Sequence, residues 1–140
     1  MISTRGRYAL RVIIDLAENQ GNGYIPMKDV AKRQEISLKY LEQILPVLTK
    51  SGYIEGIHGK GGGYKLTKRP EEYKVLDILQ LTEGDLAPVA CLVCDAKPCK
   101  RANTCRTISM WRAFYHLIHQ FFDQITIADL MQKEFEPAIL

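Results

Sequence analysis

Apolar residues recur at helical spacing over most of the chain. In the first stretch they stand three and four residues apart, which predicts one buried face of a helix. These residues are Tyr8, Ala9, Val12, Ile13, Leu16 and Ala17. Ser3 or Thr4 can cap this helix at its start, and Gly21 and Gly23 are expected to end it. A second, shorter helix is predicted over residues 27–34.

A third helix is predicted after a short link. Ser37 stands where an N-cap belongs, and apolar residues repeat behind it at i, i+3, i+4 and i+7. They are Leu41, Ile44, Leu45 and Leu48. Pro46 removes a backbone hydrogen bond, so we expect a bend or an early end there. Two helices joined by residues 35–36 predict a helix-turn-helix, whose second helix enters the major groove of DNA.

A glycine-rich hairpin is predicted next. Residues 53–57 and 64–66 predict two strands around the turn His-Gly-Lys-Gly-Gly-Gly. A phosphate-binding loop is disfavoured because it needs a helix after its glycines. A hairpin directly after a helix-turn-helix is typical of a wing, in which glycine lets the backbone approach DNA while Lys60 and Lys65 supply charge. A plain surface hairpin is the alternative.

The second half contains the longest predicted helix. After a short helix over residues 75–82 and a loop, residues 106–124 carry an aromatic-rich stripe. The stripe consists of Trp111, Phe114, Leu117, Ile118, Phe121, Phe122 and Ile125. Such a helix commonly packs on its copy in a homodimer, and packing within the monomer is the alternative. His116 and His119 lie opposite the stripe and are expected to be solvated rather than ligating.

Together these elements predict a mainly α fold with a small β-hairpin. We expect a winged helix-turn-helix domain over residues 1–84, a cysteine-rich loop over 85–105, and a dimerisation helix and C-terminal helix over 106–140. The last helix begins at a capping box on Thr126 and is expected to reach about Lys133. No apolar run approaches the roughly twenty residues of a membrane span, and the charged start argues against a signal peptide. A cytoplasmic protein without a membrane partner is therefore expected.

Charge is divided unevenly between the halves. Residues 1–69 hold twelve Lys and Arg against six Asp and Glu, a net charge of +6. Residues 70–140 hold seven against ten, a net charge of −3. The basic half is therefore the half expected to meet the phosphates of nucleic acid.

All four cysteines lie within fifteen residues, at Cys91, Cys94, Cys99 and Cys105. In a reducing cytoplasm such clustering favours a metal or redox role over structural disulfides. Four thiolates satisfy an iron-sulfur cluster completely, so ligation by all four is our first expectation. Structural zinc and a purely thiol-based switch are the alternatives. A thiol oxidoreductase built on Cys91 and Cys94 is disfavoured because no βαβ unit surrounds them, so no enzyme is expected.

Three motifs follow one another along the chain. They are residues 3–10 (STRGRYAL), 36–45 (ISLKYLEQIL) and 59–66 (GKGGGYKL). Together they resemble the Rrf-type family of bacterial winged-helix regulators, over the chain up to about Lys133. The resemblance implies a homodimeric transcription factor on a palindromic DNA operator. It is strongest to IscR-like regulators of iron-sulfur biogenesis genes, with NsrR-like nitric oxide sensors and CymR-like cysteine-metabolism repressors as alternatives.

The resemblance also implies a ligand set. Cluster-binding members hold an iron-sulfur cluster with three cysteines between the wing and the long helix. By this resemblance we expect a 2Fe-2S cluster here, with 4Fe-4S or zinc as alternatives. Cys99 and Cys105 match the last two of those ligands. Cys91 and Cys94 compete for the first.

Two positions depart from the ligand patterns of the family. Ile108 stands where IscR-like members have a histidine ligand, so their set is not carried over. Arg7 stands where NsrR-like members have an acidic residue, which counts against the nitric oxide interpretation. Cys91 and Cys94 both suit the first ligand position. We expect the one that does not fill it to be the fourth ligand.

The predicted recognition helix offers base-reading side chains near its start. Gln43 can bridge N6 and N7 of adenine, Glu42 can accept from N4 of cytosine, and Ser37 and Lys39 suit bases or phosphates. The resemblance makes Glu42 the main candidate for operator choice and puts His58 where the family has a minor-groove arginine. The DNA-binding candidates are Arg5, Arg7, Ser37, Lys39, Tyr40, Glu42, Gln43, Lys50, His58 and Lys60. Those assigned to phosphates are Arg5, Arg7, Lys50 and Lys60.

Overall fold

The computed structural model describes residues 2–138, which form six α-helices and one antiparallel two-stranded hairpin. In chain order the elements are α1 (Thr4–Glu18), α2 (Met27–Gln34), α3 (Leu38–Lys50), β1 (Ile54–Ile57), β2 (Gly63–Leu66), α4 (Val75–Glu83), α5 (Ile108–Asp123) and α6 (Ile127–Leu130). Single 3₁₀ turns span Gln20–Asn22, Pro70–Glu72 and Ala90–Leu92. The predicted mainly helical fold with a small hairpin is confirmed.

The helices of the predicted DNA-binding module, residues 1–84, start at the predicted caps. The Ser3 hydroxyl accepts from the backbone N–H of Gly6 at 3.4 Å, and the Ser37 hydroxyl accepts from the N–H of Tyr40 at 3.2 Å. Between α2 and α3, Glu35 takes a left-handed conformation with φ of 53°. This tight turn lets α3 follow α2 after three residues, as a helix-turn-helix requires.

Helix α3 continues past Pro46 to Lys50. Of the two outcomes predicted there, a bend or an early end, the early end is wrong. Leu45 and Leu48, on either side of the proline, are buried. Burying each contributes about 1.5–3 kcal/mol, which together offsets the roughly 3 kcal/mol that an interior proline costs. The Thr49 hydroxyl also donates to the Leu45 carbonyl at 2.8 Å, within the last turn.

The hairpin docks on the segment before α2. Ile54 pairs with Leu66, and Ile57 pairs with Gly63. Ile25 and Tyr64 then exchange two backbone hydrogen bonds of 2.9 Å each. A Cβ atom at Gly63 would overlap the carbonyl of Ile25. Gly63 is therefore required for packing within the protein, independently of any contact with DNA.

A buried ion pair joins α1 to α2. Asp15, 1% exposed, accepts from Arg33 Nη2 at 2.7 Å and from Gln34 Nε2 at 2.9 Å. The hydrogen bond that Arg33 donates to Asp15 raises the pKa of the Arg33 guanidinium. Residues 15 and 33 have no shared periodicity, so the sequence did not predict this pair. It locks the first helix of the helix-turn-helix against the core.

The C-terminal segment returns to the DNA-binding module. Tyr73 and Val75 exchange backbone hydrogen bonds of 2.9 Å with Ile127 and Ile125. Ile127 is fully buried in the core that also holds α1, α2, α3 and β1. The predicted capping box of Thr126 is present, but α6 ends at Leu130, before the predicted end near residue 133. The division into three segments at residues 84 and 105 remains a prediction.

Helix α5 covers the module with one face and leaves the other open. Its Ile118, Phe121 and Phe122 pack against a small core that includes Val75 and Leu79 of α4. None of its sixteen residues is buried, and three large apolar side chains are about half exposed. They are Met110 (52%), Phe114 (47%) and Leu117 (49%). No helix in residues 2–138, α5 included, is long and apolar enough to cross a membrane.

Candidate nucleic-acid interface and cysteine loop

The first turns of α3 present polar side chains away from the core. Lys39, Glu42 and Gln43 are exposed, whereas Leu41 and Ile44 on the opposite face are buried. The structure therefore brings the predicted base-reading residues together on one free helix face. Leu38 also stands there, 47% exposed. Sequence analysis did not select it, because an apolar residue at this spacing predicts burial.

Tyr40 has a different role from its neighbours. Its half-buried ring meets the Tyr8 ring edge-on, with centroids 5.2 Å apart. The Arg11 guanidinium lies over the Tyr8 ring, 5.0 Å from its centroid. Tyr40 thus holds the start of the recognition helix against α1.

The wing carries less free charge than its sequence indicates. His58 and Lys60 are exposed in the turn, as predicted. Lys65, however, forms an ion pair with Glu55 at 3.1 Å and lies 4.7 Å from the centroid of the Tyr24 ring. The hydrogen bond to Glu55 raises the pKa of Lys65. Lys60 is therefore the lysine of the hairpin that remains available to a phosphate.

A groove separates the wing from the start of α2. It has a volume of about 300 Å³, and its walls include Lys28, Thr49, His58 and the backbone of the glycine turn. Lys28 was not selected from the sequence, since a lone exposed lysine carries no positional signal. The groove brings it beside the same turn as the predicted His58.

The remaining phosphate candidates lie at the ends of helices. Arg5 and Arg7 are exposed on the first turns of α1, and Arg7 donates to the Thr4 hydroxyl at 3.2 Å. Lys50 is exposed in the last turn of α3. Within residues 2–138 none of the three is in an ion pair, so their charges are free for an anionic partner.

The four cysteines occupy the segment between α4 and α5. All are free thiols; Cys91, Cys94 and Cys99 are exposed and Cys105 is half-exposed. In the described part of the chain, no three His, Cys, Asp or Glu side chains are gathered closely enough to hold a metal ion. The donor set suits an iron-sulfur cluster in chemistry and accessibility. Ligation by more than two of these thiols requires the loop to close.

Cys105 stands at the start of α5. Its sulfur lies 3.5 Å from the Thr107 hydroxyl, and that hydrogen bond lowers the pKa of the thiol, with further help from the backbone N–H groups of Thr107 and Ile108. Thiols at helix N-termini ionise more readily because the unpaired N–H groups stabilise the thiolate. The lowered pKa of Cys105 thus follows from its position next to the N-terminus of α5.

Asp85 connects the cysteine loop to α5. Its Oδ2 accepts from the backbone N–H of Cys94 at 2.6 Å, and its Oδ1 accepts from the N–H of Ala87 and the hydroxyl of Tyr115, each at 2.8 Å. The Cys94 hydrogen bond is the main cause of the lowered pKa of Asp85. Sequence analysis missed Asp85 and Tyr115, because residues thirty positions apart share no local pattern.

His119 differs from its prediction. Its ring packs edge-on against Tyr115 with centroids 4.5 Å apart, and its Nε2 atom is buried without a hydrogen-bond partner among the described residues. The expectation of a solvated side chain is wrong for His119, because its ring packs on Tyr115 and its Nε2 atom is buried. His116 is exposed, as expected.

Known proteins similar to this chain are transcriptional regulators. Residues 2–133 match the family described as Rrf2: Iron-dependent Transcriptional regulator. The protein rrf2 of Nitratidesulfovibrio vulgaris is 36% identical over 132 residues, which cover 94% of this chain and 87% of that protein. The structure of T. potens IscR matches with a TM-score of 0.75 at 34% identity, covering 94% of this chain and 85% of that one. CymR (YrzC), the global cysteine regulator of B. subtilis, matches with a TM-score of 0.75 at 33% identity, covering 94% and 95%. The resemblance seen in the three motifs is confirmed, and the chain belongs to the Rrf2 family of helix-turn-helix transcriptional regulators, which are not enzymes.

Proposed function

We propose that this regulator is a homodimer that binds a palindromic DNA operator and responds to an iron-sulfur cluster held by Cys91, Cys94, Cys99 and Cys105. The observation that carries the proposal is the set of four free, accessible thiols in one loop between the DNA-binding module and α5. The family's description as iron-dependent agrees with it. We expect a 2Fe-2S cluster, and genes of iron-sulfur biogenesis as the targets.

The DNA-reading surface combines the first turns of α3 with the wing. Gln43 and Glu42 are exposed on α3, where they can reach base edges in the major groove. Lys60, in the wing turn, suits a phosphate and so positions the protein without reading sequence. Glu42 is our candidate for operator choice, since a carboxylate accepts from cytosine and repels phosphates.

The homodimer is supported by the open face of α5. Met110, Phe114 and Leu117 are about half exposed, and a groove of about 410 Å³ beside them is walled by Trp111 and Ile118. Each of the three is already about half buried, so covering the rest contributes about 0.75–1.5 kcal/mol per side chain, which favours a second copy of α5 on this face. Twofold symmetry would then present two recognition helices to two half-sites.

A bound cluster would supply a centre that iron limitation, oxidants or nitric oxide remove or alter. The protein's part is to place the cysteines: Cys105 stands just before the N-cap of α5, and the backbone N–H of Cys94 donates to the Asp85 carboxylate. If the loop closes on a ligand, Cys94 and Cys105 both move. The closure therefore changes the hydrogen bond from Cys94 to Asp85 and the connection from Cys105 to α5. A ligand shifts DNA binding only if it interacts differently with two arrangements of these parts.

Anaerobic purification tests the cluster. We expect a coloured protein containing iron and acid-labile sulfide, and loss of the visible absorption in Cys99→Ala. Val93→Ala, which changes an exposed apolar residue of the same loop and leaves every thiol, serves as the control and should keep the colour. A colourless wild-type protein with one zinc per chain would contradict the cluster. Cys91→Ala and Cys94→Ala should each lower the visible absorption; a variant that keeps the full absorption removes its cysteine from the ligand set.

A thiol switch without a metal is the second candidate. It is favoured by the finding that no three metal-binding side chains are gathered within residues 2–138. In that case metal analysis should find neither iron nor zinc, and mild peroxide should convert free thiols to disulfides and change operator affinity. Retention of all four free thiols after peroxide would exclude it.

A further inference from the structure

Asp85 occupies a junction between three parts of the chain. It directly follows Gly84, which ends α4 with φ of 80°. One carboxylate oxygen, Oδ2, binds the Cys94 amide of the cysteine loop, and the other, Oδ1, binds the Tyr115 hydroxyl in the middle of α5. A single short side chain therefore restrains both the loop and the long helix.

The rest of α5 is anchored elsewhere. At its C-terminal end Asp123 pairs with Lys74 Nζ at 2.7 Å, and the following segment bonds to the backbone of Val75 through the carbonyl of Ile125 at 2.9 Å. Among the side-chain hydrogen bonds of residues 2–138, the one from Tyr115 to Asp85 ties the first half of α5 to the segment that follows α4. The first half of α5 is thus held through the same carboxylate that holds Cys94.

We propose that Asp85 is the positioning residue that couples the cysteine loop to the orientation of α5, because its two oxygens hold the Cys94 amide and the Tyr115 hydroxyl together. Ligation of the loop would displace Cys94 and pull on the Asp85 side chain. The position of Asp85 Oδ1, which accepts from the Tyr115 hydroxyl, would then change as well. Movement at Tyr115 equally changes the restraint on Cys94. The effect of this coupling on DNA binding rests on the proposed function. The coupling itself does not, because it can be measured in the metal-free protein.

Two variants separate the two sides of the junction. Tyr115→Phe removes the hydroxyl only; the ring can keep its contact with His119, and neither partner of the hydrogen bond between Cys94 and Asp85 is changed. Asp85→Asn keeps the shape of the side chain but replaces one acceptor oxygen by an amide nitrogen, which cannot accept from a backbone N–H. Asp95→Asn is the matched control, since it makes the same charge change within the loop at φ of 62°, a conformation that asparagine also tolerates.

Amide hydrogen exchange of the metal-free, full-length protein tests the coupling. Tyr115→Phe should lower the protection of the Cys94 amide about two- to tenfold. This is less than the loss of a whole charge-assisted hydrogen bond, because the bond from Cys94 to Asp85 is weakened and not removed. Asp85→Asn should lower protection at Cys94 and also along residues 108–115. Asp95→Asn should leave both segments as in the wild type.

The inference is overturned if Tyr115→Phe folds and changes exchange in α5 alone. If Tyr115→Phe does not fold, Asp85→Asn decides: unchanged protection at residues 108–115 overturns the coupling. In cluster-loaded protein, Tyr115→Phe should bind as much iron as the wild type, while the ratio of operator affinities with and without cluster moves towards one; an unchanged ratio refutes the regulatory consequence. A colourless wild-type protein would defeat the proposed function without touching the exchange result.

Discussion

Removing Arg33 should destabilise the fold more than neutralising its partner, Asp15. The carboxylate of Asp15 is 1% exposed and accepts from Arg33 Nε at 3.0 Å and Nη2 at 2.7 Å, with Gln34 Nε2 as a further donor. Arg33→Ala leaves this charge buried beside Gln34. Breaking a buried pair costs about 3–5 kcal/mol, and because the Arg33 side chain is 40% exposed to screening water we expect the lower end, about 3 kcal/mol.

Asp15→Asn should cost less. The asparagine keeps the volume and one acceptor oxygen, and the half-exposed Arg33 can turn to water. The loss is then that of charge-assisted hydrogen bonds replaced by weaker ones, about 1–2 kcal/mol. Comparing the loss of unfolding free energy in the two variants therefore shows which side chain is more destabilising when its partner is removed.

Urea unfolding at one fixed protein concentration measures both costs, since dimerisation would otherwise change the apparent stability. Lys32→Ala, at an exposed position on the same helix, is the control and should stay within about 0.5 kcal/mol of the wild type. If Arg33→Ala proved no more costly than Asp15→Asn, the carboxylate would not be buried in solution and the reasoning would be refuted.

Two further predictions concern DNA binding and assembly. Lys60→Ala should weaken binding to all DNA sequences and reduce the slope of log K against log salt concentration by about one. Lys65→Ala should change this slope less, because Lys65 already pairs with Glu55. Equal slopes for wild type and Lys60→Ala in a salt titration would contradict the phosphate assignment. Leu117→Glu should shift the protein to monomers in light scattering without unfolding it, since Leu117 is half exposed, and Arg112→Ala, at an exposed position elsewhere on α5, should leave the dimer intact. An unshifted mass for Leu117→Glu would place the dimer contact on another surface.

Features that depend on neighbours in the sequence were predicted well. The caps at Ser3 and Ser37 and the register of the apolar face of α3 follow from spacings of three and four residues, so they are visible without a fold. The end of α3 was not, because burial of Leu45 and Leu48 outweighs the local preference of Pro46. Local propensity yields where tertiary packing contributes more free energy.

The sequence by itself determined the elements, the grouping of four thiols in one loop and the motifs that identify the family, since each of these depends on residues close together along the chain. Only the tertiary structure decided which charges are free. It paired Lys65 with Glu55 and Arg33 with Asp15, and left Lys60 exposed. It also joined the cysteine loop to α5 through Asp85, because a hydrogen bond across thirty residues exists only once folding has brought α4 and α5 together.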